Sequence, residues 1–271
     1  MPVGTLTTTL TDFIQTSPLN RAHDLADLQL FDAPLFGVAS ANDELFPQLR
    51  QPSIIIETYL LPTDWLPTAK SIISFFLPFT TEVRASNRQQ GLPSTEWLYG
   101  RIEGQAFVVA VGNLLVNLVQ QGGYEAVFPT VDSRFKIVNR RSNWSERHTA
   151  FIAGLGTISL NRSLITKVGA AGRLGSVITN LELPATERNY HGFDEHCNHC
   201  GACIRRCPAG AISVAGKDHA ICDAFLETTR QKFAPRYGCG KCQTAVPCEK
   251  GIPAKRVNSV ILFDVTLVIP V

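Results

Sequence analysis

Eight cysteines carry the most specific chemistry in this chain of 271 residues, and none of them occurs before Cys197. Four fall within eleven residues as Cys197-x2-Cys200-x2-Cys203-x3-Cys207, followed by Pro208. Thiolates at that spacing suit the corners of an iron–sulfur cubane: three can wrap one cluster, while the fourth, next to the proline, points towards another. A second set is then required. Downstream the chain supplies Cys222, Cys239-x2-Cys242 and, after five intervening residues, Cys248.

Other uses of eight thiols fit the spacing less well. Structural zinc sites favour C-x2-4-C pairs separated by a longer span. Disulfides need an oxidising compartment, and the opening MPVGTLTTTLTDF has neither a basic n-region nor a continuous apolar h-region. A [3Fe–4S] or single-cluster variant stays open, because the second set departs from the C-x2-C-x3-C-P spacing. His196 and His199 read as solvated loop residues, not ligands. The segment resembles bacterial ferredoxins, which implies crossed ligation: Cys248 completes the set of Cys197, Cys200 and Cys203, while Cys207 joins Cys222, Cys239 and Cys242. Two [4Fe–4S] clusters so held would exchange electrons rapidly.

The elements that position this module come first in the chain. A hydrophobic fraction of 45% with 18% charged residues allows residues 1–188 to bury a sizeable core. A net charge of +2 is too small to attract nucleic acid or anionic membrane by bulk field. No uninterrupted apolar run reaches the roughly 18–20 residues of a spanning helix. The expected location is the cytoplasm, without membrane contact. A local basic cluster, Arg134, Lys136, Arg140, Arg141, Arg147 and His148, reads either as a solvated face or as an anion-binding edge for a phosphate-bearing cofactor or substrate.

Periodicity gives the elements. The first thirty residues read as two short helices separated by Pro18. The run 69–77, AKSIISFFL, reads as a buried strand, and Glu96 to Gln121 as the strongest helix, stopped by Gly122-Gly123. Ala126-Val127-Phe128 reads as a strand. Ser145 is placed to cap a helix over Glu146 to Ile152 with its hydroxyl. The segments 163–168 and 174–183, joined by GAAGR, suggest a hairpin or a tight corner. The expected organisation is an α+β domain over 1–188, a ferredoxin-like module over 189–256, and an apolar tail, 257–271, packing as a strand on the first domain or on a second subunit, which makes a homodimer one expectation.

Three stretches, VDS at 131–133, ERHTAFIAGLGTISLNRSLIT at 146–166 and GRLGSVITNLELP at 172–184, followed by the cysteines, resemble epoxyqueuosine reductases and, more distantly, reductive dehalogenases. The resemblance implies a flavin-reductase-like domain holding cobalamin, with FMN as the alternative, fed with electrons by the clusters. It gives Asp132 the role of proton donor and places Ser133, Arg147, Gly154, Leu155, Gly156 and Thr157 at the cofactor. Asp132 reads equally as a turn residue, and Gly154 and Gly156 as a helix end. Epoxyqueuosine reductases also carry a C-terminal helical-repeat domain linked to tRNA binding, whereas this chain stops 23 residues after Cys248. The expected partners are therefore a small-molecule substrate, in place of tRNA, and an external low-potential donor such as ferredoxin or flavodoxin. An electron-transfer protein without its own substrate and a corrinoid-handling protein are the other readings.

Protein purified without oxygen is expected to hold about eight irons and eight acid-labile sulfides per chain, with visible absorption that dithionite bleaches. Two zinc ions and no labile sulfide would overturn the cluster reading.

Overall fold

The computed structural model describes residues 3–255. The apolar tail 257–271 lies outside the described residues. In chain order the main elements are α1 (Val3–Thr16), β1 (Leu35–Ser40), β2 (Ser71–Pro78), α2 (Thr81–Ser86), α3 (Thr95–Gln121), β3 (Ala126–Val127), α4 (Glu146–Ile152), β4 (Gly156–Ile158), β5 (Leu164–Thr166), β6 (Gly172–Thr179), α5 (Ala202–Arg206) and α6 (His219–Phe233).

Strand β2 is buried along its whole length, which is why its sequence is a continuous apolar run. Its side chains alternate between two cores. Ile73, Phe75 and Leu77 pack with Leu10 and Ile14 of α1 and with Phe107 and Val111 of α3. On the other face Ile72 packs with Trp144 and Ile152, and Phe76 with Ala150 and Leu155. The sheet order is β1-β2-β6-β3, antiparallel throughout. The result is a mixed α+β domain with a helical layer on each side of the sheet.

Helix α3 starts where expected, because the Ser94 hydroxyl accepts the amide of Trp97. By length and composition alone it would suffice to cross a membrane. Here Phe107, Val108, Val111 and Leu115 form a face packed on the sheet. Gly112 lets α3 approach Phe128 closely.

Two expectations are corrected, and of the two alternatives for the GAAGR connection one is found. No second helix follows α1: buried Asn20 donates to Ile14 O (2.8 Å) and Phe31 O (2.9 Å) and accepts the Phe31 amide, and this clamp holds 18–31 in short turns and strand pairs. The segments around GAAGR make a corner, not a hairpin, since β5 pairs with β4 while β6 pairs with β2 and β3. Ser145 does not cap α4 with its hydroxyl, which lies 2.7 Å from His148 Nδ1 instead.

Gly112→Ala would place a Cβ 2.1 Å from Phe128 Cε1. Thermal unfolding of the loaded protein should show a loss of about 1–3 kcal/mol. Gly4→Ala, with nothing within 4 Å, is the neutral comparison.

Candidate redox site

The cysteines come from four local structures. Cys197 and Cys200 sit in a loop, and Cys203 and Cys207 at α5, whose entry is Gly201 in the left-handed region at φ +69°. Cys222 is on α6, capped by Asp218 through the amides of Ala220 (2.8 Å) and Ile221 (3.0 Å). Cys239 precedes and Cys242 lies within a short turn that begins at Gly240, where a Cβ would meet the Trp97 ring at 1.9 Å. Only glycine fits there.

The thiols divide into two sets. Cys197, Cys200, Cys203 and Cys248 line a small cavity of about 20 Å³, and Cys207, Cys222, Cys239 and Cys242 line another of about 650 Å³. Burial pushes the Cys248 thiol up to about 12, and Cys197, Cys203 and Cys200 add to the shift. Burial does the same to Cys239, with Cys242, Cys222 and Cys207 adding to it against the Lys241 amide. Cys203 rises to about 12 through burial and then Cys242, so the sets adjoin. Such pockets favour neutral thiols until metal enters, and loading must release protons. Ala211 N–H donates to Cys207 Sγ at 3.3 Å, a bond of the kind that tunes a cluster.

The larger cavity lies between the two halves. Phe76, Trp97, Arg101, Glu146 and Arg173 face the second thiol set across it. Glu146 accepts from Thr130 Oγ1 (2.8 Å) and Ser176 Oγ (2.6 Å), and Ser176 in turn accepts from Trp144 Nε1 (3.0 Å). Burial pushes its carboxyl up to about 7 against the lowering effect of these donors. A carboxyl with that affinity can hold and deliver a proton near neutrality. Among the described residues the buried Nε–H groups of Arg101, Arg162 and Arg173 have no hydrogen-bond partner. A second cavity of about 430 Å³ adjoins the first, and Ser142, Ser145, Arg147, Arg162 and Lys217 belong to both walls.

Of the residues expected at a cofactor, Arg147 lines both of these cavities, whereas Ser133, Gly154, Leu155, Gly156 and Thr157 line neither. Gly154, at φ +80°, ends α4 and packs on Thr186. At Gly156 a Cβ would lie 2.0 Å from Ile165 O, so this glycine serves the β4–β5 approach. Thr157 Oγ1 accepts the His196 amide at 2.9 Å. Asp132 also lies outside both walls, gripped by Arg134 Nε (2.9 Å) and Nη2 (2.7 Å). These bonds hold its carboxyl below the usual range. His196 is not free in solvent, since Nδ1 lies 3.0 Å from Ile165 O, and His199 pairs with Asp194 at 2.8 Å. The sequence reading missed Glu146, because a glutamate in the first turn of a helix ordinarily answers the helix dipole. Its flanking Trp144 and Ile152 were the available signal of burial.

Residues 193–213 match the model of a 4Fe-4S binding domain. An epoxyqueuosine reductase of Bacillus cereus is 30% identical over 210 residues, 73% of this chain and 53% of that protein. The chain thus spans about half the length of this curated relative. The solved epoxyqueuosine reductase of Bacillus subtilis, described with its aspartate catalytic loop swung out of the active site, matches over 93% of this chain and 68% of its own at 20% identity and a TM-score of 0.53. A catabolic reductive dehalogenase matches 81% of this chain and 30% of its own at 17% identity, with a TM-score of 0.56. The chain is an epoxyqueuosine reductase-like protein with a 4Fe-4S segment, and its mixed α+β fold is the one those structures share.

Electron paramagnetic resonance on four variants checks the ligand sets. Cys207→Ala and Cys239→Ala should damage one centre, and Cys197→Ala and Cys248→Ala the other. Joint behaviour of Cys207 and Cys197 would refute the division.

Proposed function

We propose that this chain is an iron–sulfur oxidoreductase in which two [4Fe–4S] clusters pass single electrons to a corrinoid between the two halves, where a small organic substrate is reduced. The observation that carries this reading is the cavity of about 650 Å³ with four cysteines on one wall and a proton-holding carboxyl on the other. An external low-potential donor such as ferredoxin or flavodoxin would supply the electrons.

The residues present fit a large amide-fringed macrocycle. Leu174 offers apolar surface for a ring face, and the half-buried Arg101 and Arg173 offer cationic donors for peripheral carbonyls. When bound, the group would supply a low-potential metal centre for substrate reduction. FMN is the alternative occupant.

The proton has two candidate sources. Asp132, favoured by the resemblance, is an anion paired to Arg134 and stands outside the cavity. The Bacillus subtilis structure, with its aspartate loop swung out, offers a parallel for that position. For the arrangement observed, Glu146 is the donor: it lines the cavity and carries a proton up to about pH 7. Asp132 takes the role only when its turn moves inward and leaves Arg134.

Anaerobic expression with a corrinoid supply should yield one bound corrinoid per chain, reducible through the clusters. Glu146→Gln should slow turnover by about 10²–10⁴ at unchanged cluster and corrinoid content. Wild-type activity should be full below about pH 7 and fall above it, because ionised Glu146 has no proton to give. An equal loss in Asp132→Asn with no effect of Glu146→Gln would return the role to Asp132. Failure to bind any corrinoid would favour flavin or the electron-transfer reading.

A further inference from the structure

The cavity of about 430 Å³ beside the redox cavity has a one-sided charge. Arg140, Arg141, Arg147, Arg162 and Lys217 line it, against the single carboxylate of Asp218. That carboxylate is occupied, since it caps α6 through the amides of Ala220 and Ile221. Arg140 is answered by Asp223 at 3.0 Å. Among the described residues no carboxylate lies within ion-pair distance of Arg141, Arg147, Arg162 or Lys217.

Their own bonds go to carbonyls and leave donors over. Arg141 Nη1 spans Pro52 O and Ile55 O at 2.8 Å each, and Arg147 Nη1 donates to Arg162 O. Arg162 Nε has no partner. The cations also act on one another. Burial and then the Arg162 charge hold Arg147 below its usual range, and burial followed by Arg147 and Arg162 pushes His148 down to about 3. His219 falls to about 4 through burial, then Lys217, Arg147 and Arg162. Holding such a set together costs free energy unless an anion enters. The neighbouring clusters do not account for all of it, because the wall of this cavity contains no cysteine.

We propose that this cavity is a subsite for the phosphate group of a phosphorylated small-molecule substrate. The proposal rests on the reductase reading above and specifies its substrate class. Guanidinium forks match phosphate oxygens in pairs, so several arginines and an ammonium suit a dianionic phosphate better than a single carboxylate. Arg147, Arg162 and Lys217 belong to both walls, so a ligand anchored here by its phosphate would reach into the cavity lined by Glu146 and the second thiol set.

Calorimetry with inorganic phosphate on cluster-loaded, corrinoid-free protein tests the site. Saturable binding is expected, weakened by about tenfold or more in both Arg141→Gln and Arg162→Gln, as for loss of a charge-assisted hydrogen bond. Cluster absorption confirms that each variant is folded, and Arg21→Gln, at a distant exposed pair, should bind as wild type. Absence of saturable binding, or undiminished binding in both variants, would overturn the site. The source of the phosphate is read from cofactors with and without one. Equal binding of cobalamin and cobinamide, or of FMN and riboflavin, with phosphate still bound to the loaded protein, supports a substrate phosphate. Displacement of phosphate by cobalamin but not cobinamide, or by FMN but not riboflavin, would assign the site to the cofactor and overturn the substrate assignment. Intact phosphate binding in a protein that takes neither cofactor would count against the reductase reading and leave the anion site standing.

Discussion

The joint on which both halves of the molecule close is Asn87. It is fully buried, and its carbonyl accepts from Lys241 Nζ (3.2 Å), Arg206 Nη2 (3.3 Å) and Thr244 Oγ1 (3.0 Å) while its amide donates to Cys239 O (2.9 Å). Two cations thus enter the interface against carbonyl dipoles, with no carboxylate opposite them among the described residues. Burial, then Arg206, pushes Lys241 down to about 8, as expected where carbonyl dipoles replace water around an ammonium. A loaded cluster bonded through four thiolates would answer that charge from the Cys239 side. Closure of the interface and loading of the second thiol set would therefore be coupled.

The same loop fixes the other set. Arg88 forks onto Glu249 (2.6 and 3.1 Å), Glu249 accepts the Ala245 amide, and Cys248 O accepts the Ala170 amide at 2.9 Å. Gly169 makes room for this contact, since a Cβ there would lie 2.2 Å from Glu249 O. The corner between β5 and β6 is thus shaped by the cysteine loop that rests on it. A hairpin over those residues would have removed the seat of Cys248.

The parts legible in the sequence are those decided locally. Thiolate spacing is dictated by the cluster a short loop must wrap, and a strand covered on both faces, like β2, must be apolar at nearly every position. Helix α3 announced itself by period and by its terminal glycines. What escaped depends on distant partners. Asn20 looks like a loop residue until Phe31 returns to it, and Glu146 looks like a helix-dipole residue until Ser176 on β6 and Thr130 close over it. Asp132 shows the converse: its residue type suits a proton donor, but Arg134 two positions on neutralises that use in the observed conformation. The basic cluster was legible as charge but not as a place, because Arg162 and Lys217 join it only in the fold.

On the proposed reading, the order of electron flow would follow from which thiols meet which wall. Cys197, Cys200, Cys203 and Cys248 surround a cavity too small for any organic guest, whereas Cys207, Cys222, Cys239 and Cys242 open onto the space that Glu146 lines. A donor delivering to the first centre would hand electrons on through the Cys203 and Cys242 contact zone, where Cys203 already lies in the field of Cys242. Only the second centre would then face the cavity that Glu146 lines. Lys217, on the shared wall of both cavities, lowers the cost of negative charge at Cys242 and faces the anion cavity as well. On the proposed reading, an electron arriving at that centre and an anion arriving beside it would compete for the same positive field, so a bound anion would make the second cluster a stronger reductant.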